Sequence, residues 1–237
     1  MIDLCIGGIT VGIENRFPLL AALCRDYAAA DSERDFSVCV SDKDLEEERE
    51  MADGEYSDAY IESIAAYRKI AERIPDYDAF VFHGAIIAHE GRAYAVTARS
   101  GVGKTTHLRL WLQAFGDKVH ILNGDKPILR VINGTVYAAG TPWRGKENYG
   151  INEMLPLHGI AFLERSEENF AKAVSPSDAL VPLISQIYLP RSPRGASLVL
   201  SVANKVISTV PLYRLGVNMD IKAAHVAFEA FTGKKFG

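Results

Sequence analysis

The sequence has few cysteines, no long hydrophobic run and no surplus of basic charge. Its three cysteines, Cys5, Cys24 and Cys39, are widely spaced, with neither a CxxC pair nor the even count of a disulfide framework. No apolar run approaches the roughly 18–20 residues that span a bilayer. Because 26 Lys and Arg stand against 30 Asp and Glu, the net charge of −4 gives no reason to expect a polyanion. We expect reduced cysteines, no membrane partner and no nucleic-acid partner, while a small acidic ligand at a local site fits the composition.

What the sequence does have is the composition of an ordinary folded protein. Hydrophobic residues make up 48% and charged residues 24%, which is far from the composition of disordered chains. The 237 residues give room for one large domain or two small ones. The opening stretch MIDLCIGG carries an acid where a secretion signal needs basic residues. The expected localisation is cytoplasmic.

The first part of the chain favours β-structure. Apolar residues alternate over 2–6 and over 9–13 on either side of Gly7-Gly8, which is the pattern of a tight hairpin. Phe36–Val40 is a further strand candidate. The segment Asp42–Glu55 holds eight acids against two bases, which is typical of a solvated loop or helix face. A docking patch for a basic partner is the alternative.

An amphipathic helix is predicted between Ser57 and Pro75. Ser57 is a suitable N-cap, and apolar residues recur after it at spacings of four and three. The stripe consists of Tyr60, Ile64, Tyr67, Ala71 and Ile74. We interpret it as core packing, with a ligand-binding face as the alternative.

Strands and helices alternate through the rest of the chain. Apolar runs predict strands at Phe80–Phe82, Ala85–Ala88, Ala93–Ala98, Val119–Leu122, Ile128–Val131, Val136–Ala139 and Gly159–Leu163. Helical periodicity predicts helices at Thr105–Phe115, Ser177–Tyr188, Ala196–Ile207 and Asp220–Phe231. The expected fold class is α/β, a mixed β-sheet core flanked by helices with a β-rich N-terminal extension. We predict one domain over 1–237, in which the extension 1–78 packs on the core 79–237.

Residues 98–106 form a candidate phosphate-binding loop between a predicted strand and a predicted helix. They are Ala-Arg-Ser-Gly-Val-Gly-Lys-Thr-Thr, which matches a Walker A motif except that Ala98 replaces its first glycine. Glycines let the backbone N–H groups turn toward phosphate, the lysine supplies charge, and the first threonine holds Mg²⁺. A glycine turn with a surface lysine is the structural alternative. The predicted nucleotide-binding residues are Ser100, Gly101, Val102, Gly103, Lys104, Thr105 and Thr106.

An acidic residue follows the next predicted strand. Asp125 lies 21 positions after Lys104, in a segment Asn-Gly-Asp-Lys that ends the strand. Open α/β sheets bind ligands at the carboxyl ends of their strands. Asp125 is therefore a candidate ligand of Mg²⁺ together with Thr105, and a turn aspartate is the alternative.

The stretch from His83 to Pro142 resembles the nucleotide-binding core shared by HPr kinase/phosphorylase and phosphoenolpyruvate carboxykinase. That group has a His-Gly at the start of a strand hairpin, an SGxGK[ST] loop and an Asp-Asp pair on a later strand. The matching elements here are His83-Gly84, Ser100–Thr105 and Gly124-Asp125. The segment 140–146 looks like that of small kinase-like relatives of the group. The resemblance covers roughly a quarter of the chain and implies a P-loop-containing, phosphoenolpyruvate carboxykinase-like core.

The resemblance implies an ATP-dependent phosphotransferase. Its cofactors would be ATP or another nucleoside triphosphate and Mg²⁺, and its acceptor a serine or other hydroxyl of a small molecule, peptide or protein. The family's metal-binding second Asp falls on Asp125, but its first Asp, the base toward the acceptor, falls on Gly124. We predict Lys104, Asp125 and His83 as catalytic residues, with His83 or Glu147 replacing the base. The alternative is a nucleotide-binding sensor or regulatory module with little or no transfer.

Two loops supply further candidates for contacts to the phosphate or the acceptor. Solvated turns are the alternative for both loops, and Trp143 is either an acceptor-pocket aromatic or a loop anchor. Residues 191–237 hold seven basic and two acidic residues, which suits an intramolecular or head-to-tail contact, so a homo-oligomer stays open. The candidates are Arg144, Lys146, Glu147, Arg191 and Arg194.

Overall fold

A computed structural model describes the chain in three stretches, 1–29, 33–99 and 101–235. Within them lie a three-stranded sheet, a nine-stranded mixed sheet and helices that cover both, so the α/β class expected from the sequence is confirmed. No helix in these stretches is long and apolar enough to cross a membrane.

The small sheet is formed by the N-terminal segment. Strand β1 (Ile2–Ile6) pairs antiparallel with β2 (Ile9–Glu14), as the alternation predicts, and β3 (Phe36–Cys39) lies parallel to β2. Gly7 and Gly8 of the turn both have positive φ, which a two-residue hairpin requires and glycine adopts without strain.

Three helices pack with this sheet. Helix α1 (Pro18–Cys24) was not predicted from the sequence. The acidic segment forms α2 (Asp42–Met51), which begins at a capping box made by Ser41 and Asp44. Helix α3 (Asp58–Arg73) begins after its predicted cap Ser57.

The large sheet has the order β4-β8-β9-β10-β6-β5-β7, with β12 beside β10 and β11 beside β12. Its strands are β4 (Ala79–Val81), β5 (Ala85–His89), β6 (Arg92–Thr97), β7 (Val119–Asn123), β8 (Ile128–Ile132), β9 (Thr135–Ala139), β10 (Met154–Arg165), β11 (Phe170–Ala173) and β12 (Leu212–Val217). Strand β10 joins β4, β8 and β9 to the other strands of the sheet. Its first residues pair antiparallel with β9, while the rest pair parallel with β6 and β12.

Helices cover both faces of this sheet. The remaining helices are α4 (Lys104–Phe115), α5 (Pro176–Ile184), α6 (Pro193–Thr209) and α7 (Lys222–Thr232). Successive residues of a strand point to opposite faces. Ile87 of β5 accordingly packs with α4 and α7 around Trp111, whereas Ile86 packs with α5 and α6 around Val206. The result is a layer of strands between two layers of helices.

The C-terminal part differs most from the sequence-based expectation. The helix predicted over 177–188 ends at Ile184, and Ile187 instead forms a β-bridge with Phe82. Strands β11 and β12 were not predicted, and β10 is longer than the predicted 159–163. These strands depend on pairing with distant residues, which local patterns do not record.

The N-terminal segment shares an apolar core with the large sheet. Ala79, Val81, Ile128 and Trp143 belong to the same buried cluster as the residues of β1, β2 and α3. The Arg130 guanidinium also donates to the Gly7 carbonyl oxygen at 2.7 Å. That the whole chain is one domain, with its extension ending at residue 78, stays a prediction.

Candidate functional site

A cleft of about 1130 Å³ runs from the N-terminus of α4 to helices α1 and α3. The loop 142–149, the turn 124–126 and the segment 185–188 complete its walls. It therefore contains the carboxyl ends of β6 and β7, where the sequence predicts nucleotide and metal ligands.

The predicted phosphate loop connects β6 to α4. Gly101 and Gly103 have φ of +79° and +124°, conformations that residues with a side chain rarely adopt. Gly101, Gly103, Lys104 and Thr105 line the cleft. The Val102 side chain packs against the apolar core near α4 instead.

One other residue of the predicted loop does not line the cleft. Thr106 lies in the first turn of α4, half-buried, and is not among the residues that line the cleft. Ser100 lies outside the described residues. Of the six loop residues that the structure describes, four therefore lie on the cleft wall.

The Lys104 ammonium lies between a carbonyl oxygen and an imidazole nitrogen at the start of α4. Its Nζ donates to the Ala98 carbonyl oxygen at 3.3 Å and lies 3.3 Å from His83 Nε2. Burial lowers the pKa of Lys104, the charge of Asp125 opposes this, and Lys126 adds to the lowering. A partly desolvated ammonium at a helix N-terminus is suited to binding an anion.

Asp125 faces the same space. Its Oδ1 lies 3.5 Å from His83 Nε2, and its Oδ2 lies 3.8 Å from Lys126 Nζ. Burial alone would raise the pKa of Asp125, but the contact with His83 and the charges of Lys126 and Lys104 outweigh it and lower that pKa. Asp125 is therefore ionised near neutral pH and can bind a cation.

A buried asparagine, which the sequence analysis did not single out, shapes the turn that carries Asp125. Asn123 Oδ1 accepts from the backbone N–H groups of Asp125 and Lys126 at 2.8 and 2.7 Å. Its Nδ2 donates to the backbone and side-chain oxygens of Thr141 at 3.1 Å. The Asn-Gly-Asp sequence at a strand end was the available signal, because asparagine builds such turns.

His83 is fixed by its backbone. Its N–H donates to the Gln186 carbonyl oxygen at 2.7 Å, and its own carbonyl oxygen accepts from Thr97 Oγ1 at 2.7 Å. A side chain at the next residue, Gly84, would collide with the Phe82 ring. The structure thus brings His83, Lys104 and Asp125 together, as the three predicted catalytic residues would require.

The loop 142–149 carries three predicted residues, of which two are already paired. Arg144 forms a 2.8 Å ion pair with Asp26. Glu147 pairs with Arg109 of α4 at 2.8 Å, so it would have to leave that partner to act as a base. Lys146 is exposed and lines the cleft.

The structure does not bring Arg191 and Arg194 to the cleft, in contrast to the expectation from the sequence. Arg191 pairs with Glu47 of α2 at 2.7 Å, and Arg194 pairs with Asp76 at 2.8 Å. Neither residue lines the cleft. Acidic residues of the N-terminal segment hold both arginines, and sequence spacing could not reveal these long-range partners.

Gly124 stands where the resembling family has its base. Its φ is not positive, so the backbone there accepts other residues. A Cβ at this position would lie 3.1 Å from the Arg144 carbonyl oxygen and 3.4 Å from Tyr149 Cβ. A side chain would therefore need a small shift of the loop 142–149.

The tyrosine stripe of α3 is only partly core, which corrects the sequence-based interpretation. Ala71 and Ile74 are buried, but Tyr60 is 42% exposed, and Tyr60, Ile64 and Tyr67 line the cleft. Trp143 is both anchor and wall, because its Nε1 donates to the Ser63 carbonyl oxygen at 3.0 Å while its ring faces the cleft. The apolar periodicity predicted the helix correctly, but it could not show which residues of the stripe line a cleft.

Comparisons with known proteins assign the chain to no family and give no role to these residues. No protein-family model matches the chain, and no curated protein matches it. Among solved structures, the chain is similar to the Hpr(Ser) kinase/phosphatase from Coxiella burnetii, with 10% identity and a TM-score of 0.33. The match covers 58% of this chain and 79% of that chain. The relationship is distant, and a TM-score this low gives no basis for transferring a function.

Proposed function

We propose that the protein binds a nucleoside triphosphate with Mg²⁺ and transfers its terminal phosphoryl group to a hydroxyl acceptor. The observation that carries the proposal is the convergence of Lys104, His83 and Asp125 at the N-terminus of α4. In the reaction the acceptor oxygen bonds to the terminal phosphorus and the bond to the bridging oxygen breaks. The hydroxyl proton passes to a base, which leaves a phosphate ester and a nucleoside diphosphate.

The charge of the cleft supports an anionic ligand. Although the chain carries a net charge of −4, the described part of the cleft wall has just two acidic residues, Asp125 and Glu147. A basic cleft in an acidic protein attracts phosphate groups selectively. The basic residues of the wall are Arg68, Arg99, Lys104, Lys126, Arg144 and Lys146.

Thr105 and Asp125 are the residues that would hold Mg²⁺. Within the described stretches, no three His, Cys, Asp or Glu side chains form a metal-binding cluster. Mg²⁺ with a nucleotide needs none, because one or two protein oxygens and the phosphates supply its ligands. A hydroxyl and an ionised carboxylate on one cleft wall fit this donor set. When bound, the ion would neutralise charge on the phosphates.

His83 is the best-placed base. Its Nε2 lies 3.3 Å from Lys104 Nζ and 3.5 Å from Asp125 Oδ1. A neutral imidazole with a free Nε2 lone pair can take the acceptor proton once Lys104 turns toward phosphate. The Asp125 carboxylate then stabilises the imidazolium.

A sensor without efficient transfer is the second candidate. Gly124 supplies no carboxylate, and Arg109 holds that of Glu147. Such a protein would bind the nucleotide and change its interactions without turnover.

The first test is nucleotide binding. Mg·ADP at millimolar concentration should raise the melting temperature of the native protein, and Lys104→Ala should weaken that shift. Lys118→Ala, an exposed lysine beyond the other end of α4, is the matched control and should retain it. An unshifted melting curve for the native protein would refute both candidates.

Single-turnover assays with γ-labelled ATP separate the two candidates. Label in a hydroxyl compound from a metabolite and peptide extract supports the phosphotransferase. Label that stays in ATP despite binding supports the sensor.

A further inference from the structure

We infer that the half of the cleft formed by α1 and α3 binds the acceptor, and that this acceptor carries an uncharged aromatic or branched aliphatic group near its hydroxyl. The inference rests on the proposed function, because it assigns the space that the nucleotide leaves free. It specifies the class of acceptor, which the phosphate-binding residues do not.

The cleft is large enough for a second occupant. Pockets for one drug-sized ligand have volumes of roughly 300–1,000 Å³. The cleft measures about 1130 Å³ and continues from the phosphate loop to the N-terminal helices. A nucleotide at the loop would therefore leave the far end open.

The far end has a different chemistry from the phosphate end. Leu19 and Leu23 of α1 face it, and Tyr60 and Ile64 of α3 face it as well. Tyr60 is exposed and the other three side chains are half-buried, so none of the four belongs to the fully buried core. Single exposed apolar residues need no explanation, but a group that lines one cavity indicates a binding surface.

Tyr67 connects the two ends. Its ring lies 5.0 Å from that of Trp143, so it belongs to the apolar wall. Tyr67 lines the same cleft as Asp125, so the apolar wall reaches the phosphate end. An acceptor that packs on this wall would place its hydroxyl toward the catalytic residues.

The charges around the wall disfavour a cationic acceptor. Aromatic walls bind either apolar groups or cations. Here Arg68 already lies 5.7 Å above the Tyr188 ring and pairs with Glu48. Arg68 therefore already occupies the cation position on that ring, and the basic residues at the other end of the cleft would repel an added cation.

The test uses the full chain and two small hydroxyl compounds, 2-phenylethanol and choline, observed by saturation-transfer NMR. The ring protons of 2-phenylethanol should receive saturation from the native protein, and choline should receive much less. Tyr60→Ser should weaken binding of 2-phenylethanol roughly 2- to 10-fold, the range for losing one aromatic contact. Leu200→Ser is the control, because Leu200 is 43% exposed, like Tyr60 at 42%, but lies on α6 outside the cleft.

A second variant, Leu23→Ser, probes the opposite wall and should weaken the same signal. The inference is wrong if the native protein transfers no saturation to 2-phenylethanol, if neither variant reduces it, or if choline binds equally well. The Mg·ADP melting shift is measured on the same samples and should persist in Tyr60→Ser. Its absence from the native protein would instead overturn the proposed function, so the two failures are distinguishable.

Discussion

His83 is the residue on which the proposed transfer depends most directly. Its imidazole lies within 3.5 Å of both Lys104 Nζ and Asp125 Oδ1. His83→Ala should lower single-turnover transfer by about 10²–10⁴, the usual contribution of a general base. Added imidazole should restore part of the rate, which a purely structural role would not explain. His120→Ala, an exposed histidine outside the cleft, should leave the rate unchanged.

Substitution of Gly124 tests the hypothesis that the protein is a sensor. Its φ permits an aspartate, although the added Cβ would lie 3.1 Å from the Arg144 carbonyl oxygen. If His83 is the base, Gly124→Asp should raise single-turnover release of labelled phosphate by less than about tenfold, because a base is already present. Gly124→Ala measures the cost of the contact alone. A gain of about 10²–10⁴ would support the sensor that lost its carboxylate.

Asp125 should control the dependence on metal. Asp125→Asn keeps the shape of the side chain but removes its charge. Its apparent affinity for Mg²⁺, measured from melting curves at fixed ADP and increasing Mg²⁺, should fall at least roughly 10- to 100-fold, the loss seen even for indirect metal partners. Asp117→Asn, an exposed aspartate in the connection between α4 and β7, should behave as the native protein. Equal Mg²⁺ dependence in the two variants would show that Asp125 does not bind the metal ion.

The sequence could predict positions where the signal is local. Short motifs at the ends of strands predict that the candidate phosphate loop and Asp125 lie at one sheet edge, and both line the cleft, whereas their binding roles stay predictions. The pairing of Arg191 with Glu47 and the opening of the cleft at Tyr60 depend on how distant segments pack. No pattern within a short window contains that information.

Helix α4, whose N-terminus is the proposed phosphate-binding end, also has a buried titratable group, His107. His107 Nε2 accepts a hydrogen bond from Trp111 Nε1 at 3.0 Å, and its Nδ1 has no partner among the described residues. Burial lowers the pKa of His107 from 6.5 to about 4. The folded protein therefore keeps this imidazole neutral.

The consequence is loss of stability in acid. Between pH 6.5 and 4 the unfolded chain binds a proton at His107 that the folded chain does not, so the free energy of unfolding falls as pH decreases. This residue alone should account for up to about 3 kcal/mol by pH 4. His107→Gln keeps an acceptor for Trp111 and should show a smaller decrease in urea unfolding between pH 7 and 4.5. Equal pH dependence in the two proteins would contradict the assignment.

The elements themselves could be predicted to different extents. The hairpin of β1 and β2 and the helices α3 and α4 follow from alternation, caps and periodicity in nearby residues. Strand β12 forms because β10 and β11 lie on either side of it. Its pairing partners are far away in sequence, and the strand was missed for that reason.

In the whole molecule, the cleft lies between the N-terminal segment and the large sheet. The two parts share the apolar cluster that includes Val81, Ile128 and Trp143, and Arg144 adds an ion pair to Asp26. A fragment 79–237 should therefore expose apolar surface, bind a hydrophobic dye and lose cooperative unfolding. The full chain is the control. A fragment that unfolds cooperatively in urea would show that the extension is separable.

The two tryptophans of the chain lie in separate environments. Trp111 is enclosed with Phe115 and Phe228 in the core under α4, beside His107, whereas Trp143 lies on the cleft wall next to Tyr67. The intrinsic fluorescence of the protein consequently has two independent sources. Emission from Trp143 should respond to a ligand in the cleft, and quenching of Trp111 should follow protonation of His107, so the unlabelled protein would carry its own optical probes for both events.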